Sequence, residues 1–75
     1  MDERKRIVMP VLVISTRQGM RYEAEVRDSH DAEREIGRFQ RAYLVNHPND
    51  RIMDASVLAR GSILARFHNG RLENF

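Results

Sequence analysis

The sequence predicts an α+β fold: a single small domain in the order β-β-α-β-β-β, with one helix packed on one face of a mostly antiparallel sheet. Three observations predict it. Met20-Arg21-Tyr22-Glu23-Ala24-Glu25-Val26-Arg27 alternates apolar and charged residues without a break, the period-two signature of a half-buried strand. Ala32, Ile36, Phe39 and Tyr43 then recur at offsets of four, three and four, the stripe of an amphipathic helix. Near the end, Asn69-Gly70 is the strongest short hairpin signal a sequence offers.

The first strand is Pro10-Val11-Leu12-Val13-Ile14-Ser15-Thr16, a β-branched run opened by a proline that suits a strand start. Arg17-Gln18-Gly19-Met20 turns it into the alternating strand, which presents Met20, Tyr22, Ala24 and Val26 to the core. Val11 and Val13 are assigned to the same side, which sends Leu12 and Ile14 to the other. Asp28-Ser29-His30-Asp31 supplies helix N-caps. Acids crowd the early turns (Asp31, Glu33, Glu35) and arginines the later ones (Arg38, Arg41), as the helix dipole favours. Leu44 widens the stripe, and Gly37 implies either close approach to the sheet or simple tolerance. The helix ends before Pro48, because a residue preceding proline is pushed out of the α region.

The last third reads as a meander. Arg60-Gly61 makes a turn that pairs Leu58 with Ile63 and Val57 with Leu64. Asn69-Gly70 sets His68 opposite Arg71, Phe67 opposite Leu72 and Arg66 opposite Glu73. An apolar rung beside a rung of opposite charges is what a sheet with two different faces requires. One strain accompanies this reading: Asp54 falls opposite Phe67 on the inner face, unless a bulge releases it. Residues 51–59 also admit a second short helix, capped by Asp50 and stopped by Gly61. The predicted core is Val11, Val13, Tyr22, Ala24, Val26, Ile36, Phe39, Tyr43, Leu58, Ile63, Phe67 and Leu72.

Residues 1–75 form one domain, with residues 1–8 a flexible arm. The charge balance is thirteen basic against eleven acidic residues, net +2, with a pI of about 9.7. Twelve of the thirteen are arginines, which stay protonated far above neutral pH. The pI therefore reflects the choice of arginine, and a GC-rich coding bias explains that choice more readily than a polyanionic partner does. The chain has no cysteine, which excludes disulfides, thiolate metal sites and cysteine nucleophiles. No apolar run approaches the ~20 residues of a membrane span, and no signal-peptide core follows the charged start, so a soluble cytoplasmic protein is expected.

Chemistry-bearing patterns are sparse. His30, His47 and His68 have no i, i+4 partner among themselves, so no metal site is expected. Ser15, Ser29, Ser56 and Ser62 lack a nucleophile elbow, and Gly19, Gly37, Gly61 and Gly70 are isolated rather than a phosphate loop. No catalytic residue, cofactor or metal is assigned. Leu12, Ile14, Val57, Leu64 and Phe75 fall together on the outward sheet face. An apolar patch there, on a chain near the lower size limit for a self-sufficient core, points to an interface; the competing cover is the leading segment with Ile7, Val8 and Met9.

Two basic arrays offer an alternative. Arg34, Arg38 and Arg41 line the outer helix surface, and Arg66, His68 and Arg71 gather at the final hairpin, where phosphate contacts are conceivable. The expected function is a small non-enzymatic interaction module that binds a protein partner and forms a homodimer. The alternative is a nucleic-acid-binding accessory protein using the arginine arrays. The strand-hairpin, helix, meander outline resembles that of many small phage- and plasmid-encoded proteins, some anti-CRISPR inhibitors among them. The resemblance rests on turn positions alone and transfers no residue roles.

Overall fold

The structure, a computed structural model, describes residues 9–68 and 71–73, the side chains of His68 and Arg71 excepted. Strands β1 (Val11–Thr16) and β2 (Arg21–Glu25) form a hairpin, helix α1 (Ser29–Ala42) follows, and β3 (Ile52–Ala59), β4 (Ser62–His68) and β5 (Arg71–Glu73) form a meander. All four pairings are antiparallel, in the spatial order β2-β1-β3-β4-β5. Because β2 and β3 both run against β1, they are parallel to each other, and α1 crosses one sheet face to join them. The predicted class and element order are therefore those observed. Residues 52–59 are strand, not helix.

The first hairpin decides which residues are inside. Thr16 N–H donates to the Met20 carbonyl at 2.9 Å, and Gly19 N–H donates to the Thr16 carbonyl at 3.1 Å. Three residues, Arg17, Gln18 and Gly19, thus form the loop, and Gly19 takes a φ of 96° that an L-residue rarely adopts. An odd loop pairs Leu12 with Ala24 and Ile14 with Tyr22. Directly opposed residues share a face, so Leu12 and Ile14 join Tyr22 and Ala24 under the helix. The expected assignment is reversed here: Leu12 and Ile14 are 0% exposed, and Val11 and Val13 lie half-buried on the outer face.

A second irregularity completes the inner face. Arg60 and Gly61 both have positive φ, 53° and 79°, the two-residue hairpin turn whose twist matches the strands. It pairs Ala59 with Ser62 and Leu58 with Ile63, as predicted for the latter. The register then shifts by one, so Val57 faces Ala65 instead of Leu64. This bulge turns both Val57 and Ala65 inward, while Leu58 and Ile63, assigned to the core from the sequence, remain on the outer face. Asp54 pairs with Ser15 and is exposed, which removes the strain of a buried carboxylate. The final rungs, Arg66–Glu73, Phe67–Leu72 and His68–Arg71, are as predicted. The Asn69-Gly70 turn itself, Phe75 and the arm of residues 1–8 lie outside the described residues.

Asp28 caps α1, accepting from Asp31 N–H at 2.8 Å. Ala32, Ile36 and Phe39 are buried against Leu12, Ile14, Val26, Ala55, Val57 and Ala65, with Tyr22, Tyr43, Leu44, Ile52, Leu64, Phe67 and Leu72 packed around them. A 3-10 turn, Leu44–Asn46, continues the chain past α1. No helix among the described residues is long and apolar enough to cross a membrane.

Candidate functional site

With α1 on one face, the other face of the sheet has no layer over it among the described residues. Its composition follows from the registers. One cross-strand row reads Glu25, Val11, Leu58, Ile63. The next reads Glu23, Val13, Ser56, Arg66, Glu73. A third begins Arg21, Ser15, Asp54. Val11, Val13, Leu58 and Ile63 thus sit on the middle strands beside Ser15, Ser56 and Asp54, with glutamates at the β2 edge and Arg66 toward the opposite edge.

Exposure matches that pattern. Val11, Val13, Ser56 and Leu58 are half-buried by their neighbours, Ile63 is 49% exposed, and Glu23, Glu25 and Arg66 are exposed. Arg21 Nε lies 2.8 Å from Glu23 Oε2, a solvent-facing pair of small energetic weight. Arg66 has no ion-pair partner among the described residues.

The interface residues expected from the sequence are placed elsewhere. Leu12, Ile14 and Val57 are fully buried beneath α1, so none can meet a second molecule. Leu64 is half-buried at the bulge and packs on the core. Phe75 lies outside the described residues. The outward apolar set is instead Val11, Val13, Leu58 and Ile63; the number of residues in the first hairpin loop selects the two valines, and the β3–β4 bulge selects Leu58 and Ile63.

Of the arginine arrays, Arg34 lies 3.9 Å from Asp31, and Arg38 lies 3.4 Å from Glu35, the pairing the helical spacing implies. Arg41 is exposed near Gly37. His68 and Arg71 pair through their backbones. The helical array is therefore interleaved with carboxylates, and Arg66 shares its face with Glu23, Glu25, Asp54 and Glu73.

A second constellation sits where the β1–β2 loop meets the segment entering β3. Asp50 is 7% exposed. Its Oδ1 accepts from Gln18 N–H at 3.0 Å and Arg51 N–H at 2.9 Å, and its Oδ2 accepts from the Tyr43 hydroxyl at 2.7 Å. Burial alone would raise its pKa. The hydrogen bonds from Tyr43, Thr16 and the two amides prevail and hold it at about 2. Tyr43 is raised in turn, first by that bond to Asp50. Tyr43 also stacks between Phe39 (centroids 5.1 Å) and His47 (4.0 Å), and Phe39 meets Tyr22 at 5.4 Å.

A carboxylate that ionised, with donors from its own chain on both oxygens, is a poor proton acceptor near neutral pH. It ties two loops together. The open crevice beside it, lined by Arg17, Gln18, Pro48, Asn49, Asp50 and Arg51, is polar and shallow. Among the described residues, no group of three or more His, Asp or Glu side chains is placed to hold a metal ion. Comparison with known proteins finds no matching family model, no matching curated protein and no matching solved structure.

Proposed function

We propose that this chain is a small non-enzymatic interaction module that docks on protein through the outer face of its sheet. One observation carries the reading: Val11, Val13, Leu58 and Ile63 meet on the face opposite the helix. The outward positions of β2 are charged (Arg21, Glu23, Glu25), as a water-facing strand should be. The middle strands carry Val11, Val13, Leu58 and Ile63 there, with Asp54 and Arg66 beside them, and apolar surface flanked by charge is how docking faces are built. The Asp50 cluster supports a non-catalytic reading, since its strongest acceptor is occupied by structural donors.

Capture from a nuclease-treated lysate of the native host, with wild type beside Val13→Glu, tests the reading. A bound protein lost with Val13→Glu but kept with the helix-face variant Arg38→Ala supports it. Capture that vanishes on nuclease treatment, weakens steeply with salt and depends on Arg38 or Arg66 would favour nucleic-acid binding instead.

A further inference from the structure

We propose that a second copy of this chain occupies the outer sheet face, stacked about a two-fold axis that runs along the strands between β1 and β3; this rests on the docking reading above. The argument is charge complementarity. In face-to-face sheets a two-fold axis lies in the interface plane, and its two limiting directions are along the strands and across them. An axis across the strands lays each strand over its own copy with the rows reversed. At the Glu23 row it sets Glu23 on Glu23 and Arg66 on Arg66 while Arg21 meets Glu25, and midway to the next row it sets Glu23 on Glu25. An axis along the strands, between β1 and β3, lays β1 over β3 and β2 over β4. Because rotation about a strand-parallel axis keeps each row at its own height, the cross-strand rows then meet themselves in reverse order.

In that arrangement Glu23, which also holds Arg21 at 2.8 Å, faces Arg66 of the second copy, twice by symmetry, so the exposed guanidinium lies between that carboxylate and Glu73, opposite it in its own chain. Val11 faces Leu58, Glu25 lays its methylenes over Ile63, and Ser15 meets Asp54. In the Val11 and Val13 rows apolar groups stay near the axis and charges at its flanks, as in docking surfaces generally, while Asp54 brings a carboxylate beside the axis at the Ser15 end. Strand spacings of about 4.8 Å and residue rises of about 3.3 Å give the face from β2 to β4 a footprint of about 400 Å². A standard stable interface buries about 800 Å² per partner, so self-association in the micromolar range or weaker is expected.

Absence of cysteine from the sequence makes the test direct. Ser56→Cys puts one near-isosteric thiol at the centre of the face, and Gln40→Cys puts one on an exposed helix position. The rate of maleimide labelling of each full-length variant is followed from low micromolar to near-millimolar concentration, beside sedimentation of the same samples. The second-copy proposal expects Ser56→Cys to become protected, and the sedimenting mass to double, over one concentration range while Gln40→Cys stays reactive. A thiol at position 56 equally reactive at every concentration overturns the dimer and leaves the docking reading intact for another partner. Protection already complete where the chain sediments as a monomer overturns both, because the chain then covers its own face.

Orientation is read separately. Arg66→Glu and Glu23→Arg are each expected to weaken self-association by about tenfold, and the double swap to restore it. A dimer that neither single variant weakens, with each melting like wild type, overturns the strand-parallel axis.

Discussion

The two faces of this sheet are cut from alternate residues of the same strands, yet only one is closed. On the inner face Leu12, Ile14, Ala55, Val57 and Ala65 are at most 2% exposed. On the outer face their chain neighbours Val11, Val13, Ser56 and Leu58 are half-buried and Ile63 is open. Hydrophobicity does not separate the two sets in β1, where Val-Leu-Val-Ile serves both parities. What separates them is the loop that fixes the register, and the helix that the register then finds beneath it. A face is thus chosen by turn geometry and only afterwards rewarded by burial.

The sharpest way to break this comparison is to truncate sequence neighbours on opposite faces. Leu12→Ala should cost about 2–5 kcal/mol and Phe39→Ala about 3–5 kcal/mol, the usual range for fully packed side chains. Val13→Ala should cost about 1 kcal/mol or less, since its methyl groups are only half removed from water. Total stability at this length is about 4–11 kcal/mol, so either core truncation brings the domain close to unfolding at room temperature. Urea melts of the three variants at low protein concentration decide it. Equal midpoints for Leu12→Ala and Val13→Ala would mean that the inner and outer sets have been exchanged.

Asp50 comes next, because it ties the register-setting loop to the start of β3. Asp50→Ala leaves Gln18 N–H, Arg51 N–H and the Tyr43 hydroxyl without their acceptor, and should destabilise more than any exposed-residue change. The carboxyl is lowered from 3.8 to about 2 in the folded chain. The stability it contributes is therefore fully present above about pH 4 and drains away as the pH falls toward 2. Thermal melts of wild type and Asp50→Asn between pH 6 and about pH 2 read this out: the wild type should lose more of its midpoint on acidification. Parallel pH profiles would remove Asp50 as the staple.

Much of this architecture is legible in the sequence, for reasons that differ by element. The last hairpin reads correctly because an apolar rung and a charge-paired rung check the same register twice. Helix α1 reads correctly because its stripe, its N-cap and its charge gradient agree. Strand β1 fails because Arg17-Gln18-Gly19 is compatible with a loop of two residues or three, and one residue flips the strand. That error put Leu12 and Ile14 where Val11 and Val13 belong, and the bulge between Val57 and Leu58, which no local residue announces, put Val57 where Leu58 and Ile63 belong. Asp50 reads locally as a helix cap or loop residue, because its role depends on Gln18 and Tyr43, and nothing local joins it to Gln18, 32 residues away.

Gly19 sharpens the point about the loop. Its φ of 96° lies outside the comfortable range of L-residues, and an added Cβ would meet nothing within 4 Å. Gly19→Ala therefore isolates conformational strain from packing, at a cost of about 1–2 kcal/mol. Denaturant melts should show a lower midpoint with an unchanged slope. A stable variant whose Leu12 amide loses hydrogen-exchange protection would instead mean that the loop had shortened and the faces had switched.

The smallest expected effect has the opposite sign and concerns the helix that closes the inner face. Gly37 is half-buried in the middle of α1. An added Cβ would meet only the Arg41 side chain, 3.3 Å from Nη1. The sheet does not approach it, so the absence of a side chain serves no packing purpose there, and Arg41 is long enough to move aside. Gly37→Ala should thus gain up to about 1 kcal/mol by removing backbone freedom from the unfolded chain. The gain belongs to the lid of the inner face, so the melting midpoint should rise while labelling of Ser56→Cys on the outer face stays unchanged. A fall in the midpoint would mean that the Arg41 guanidinium is held over Gly37 by something worth more than the helix propensity of alanine.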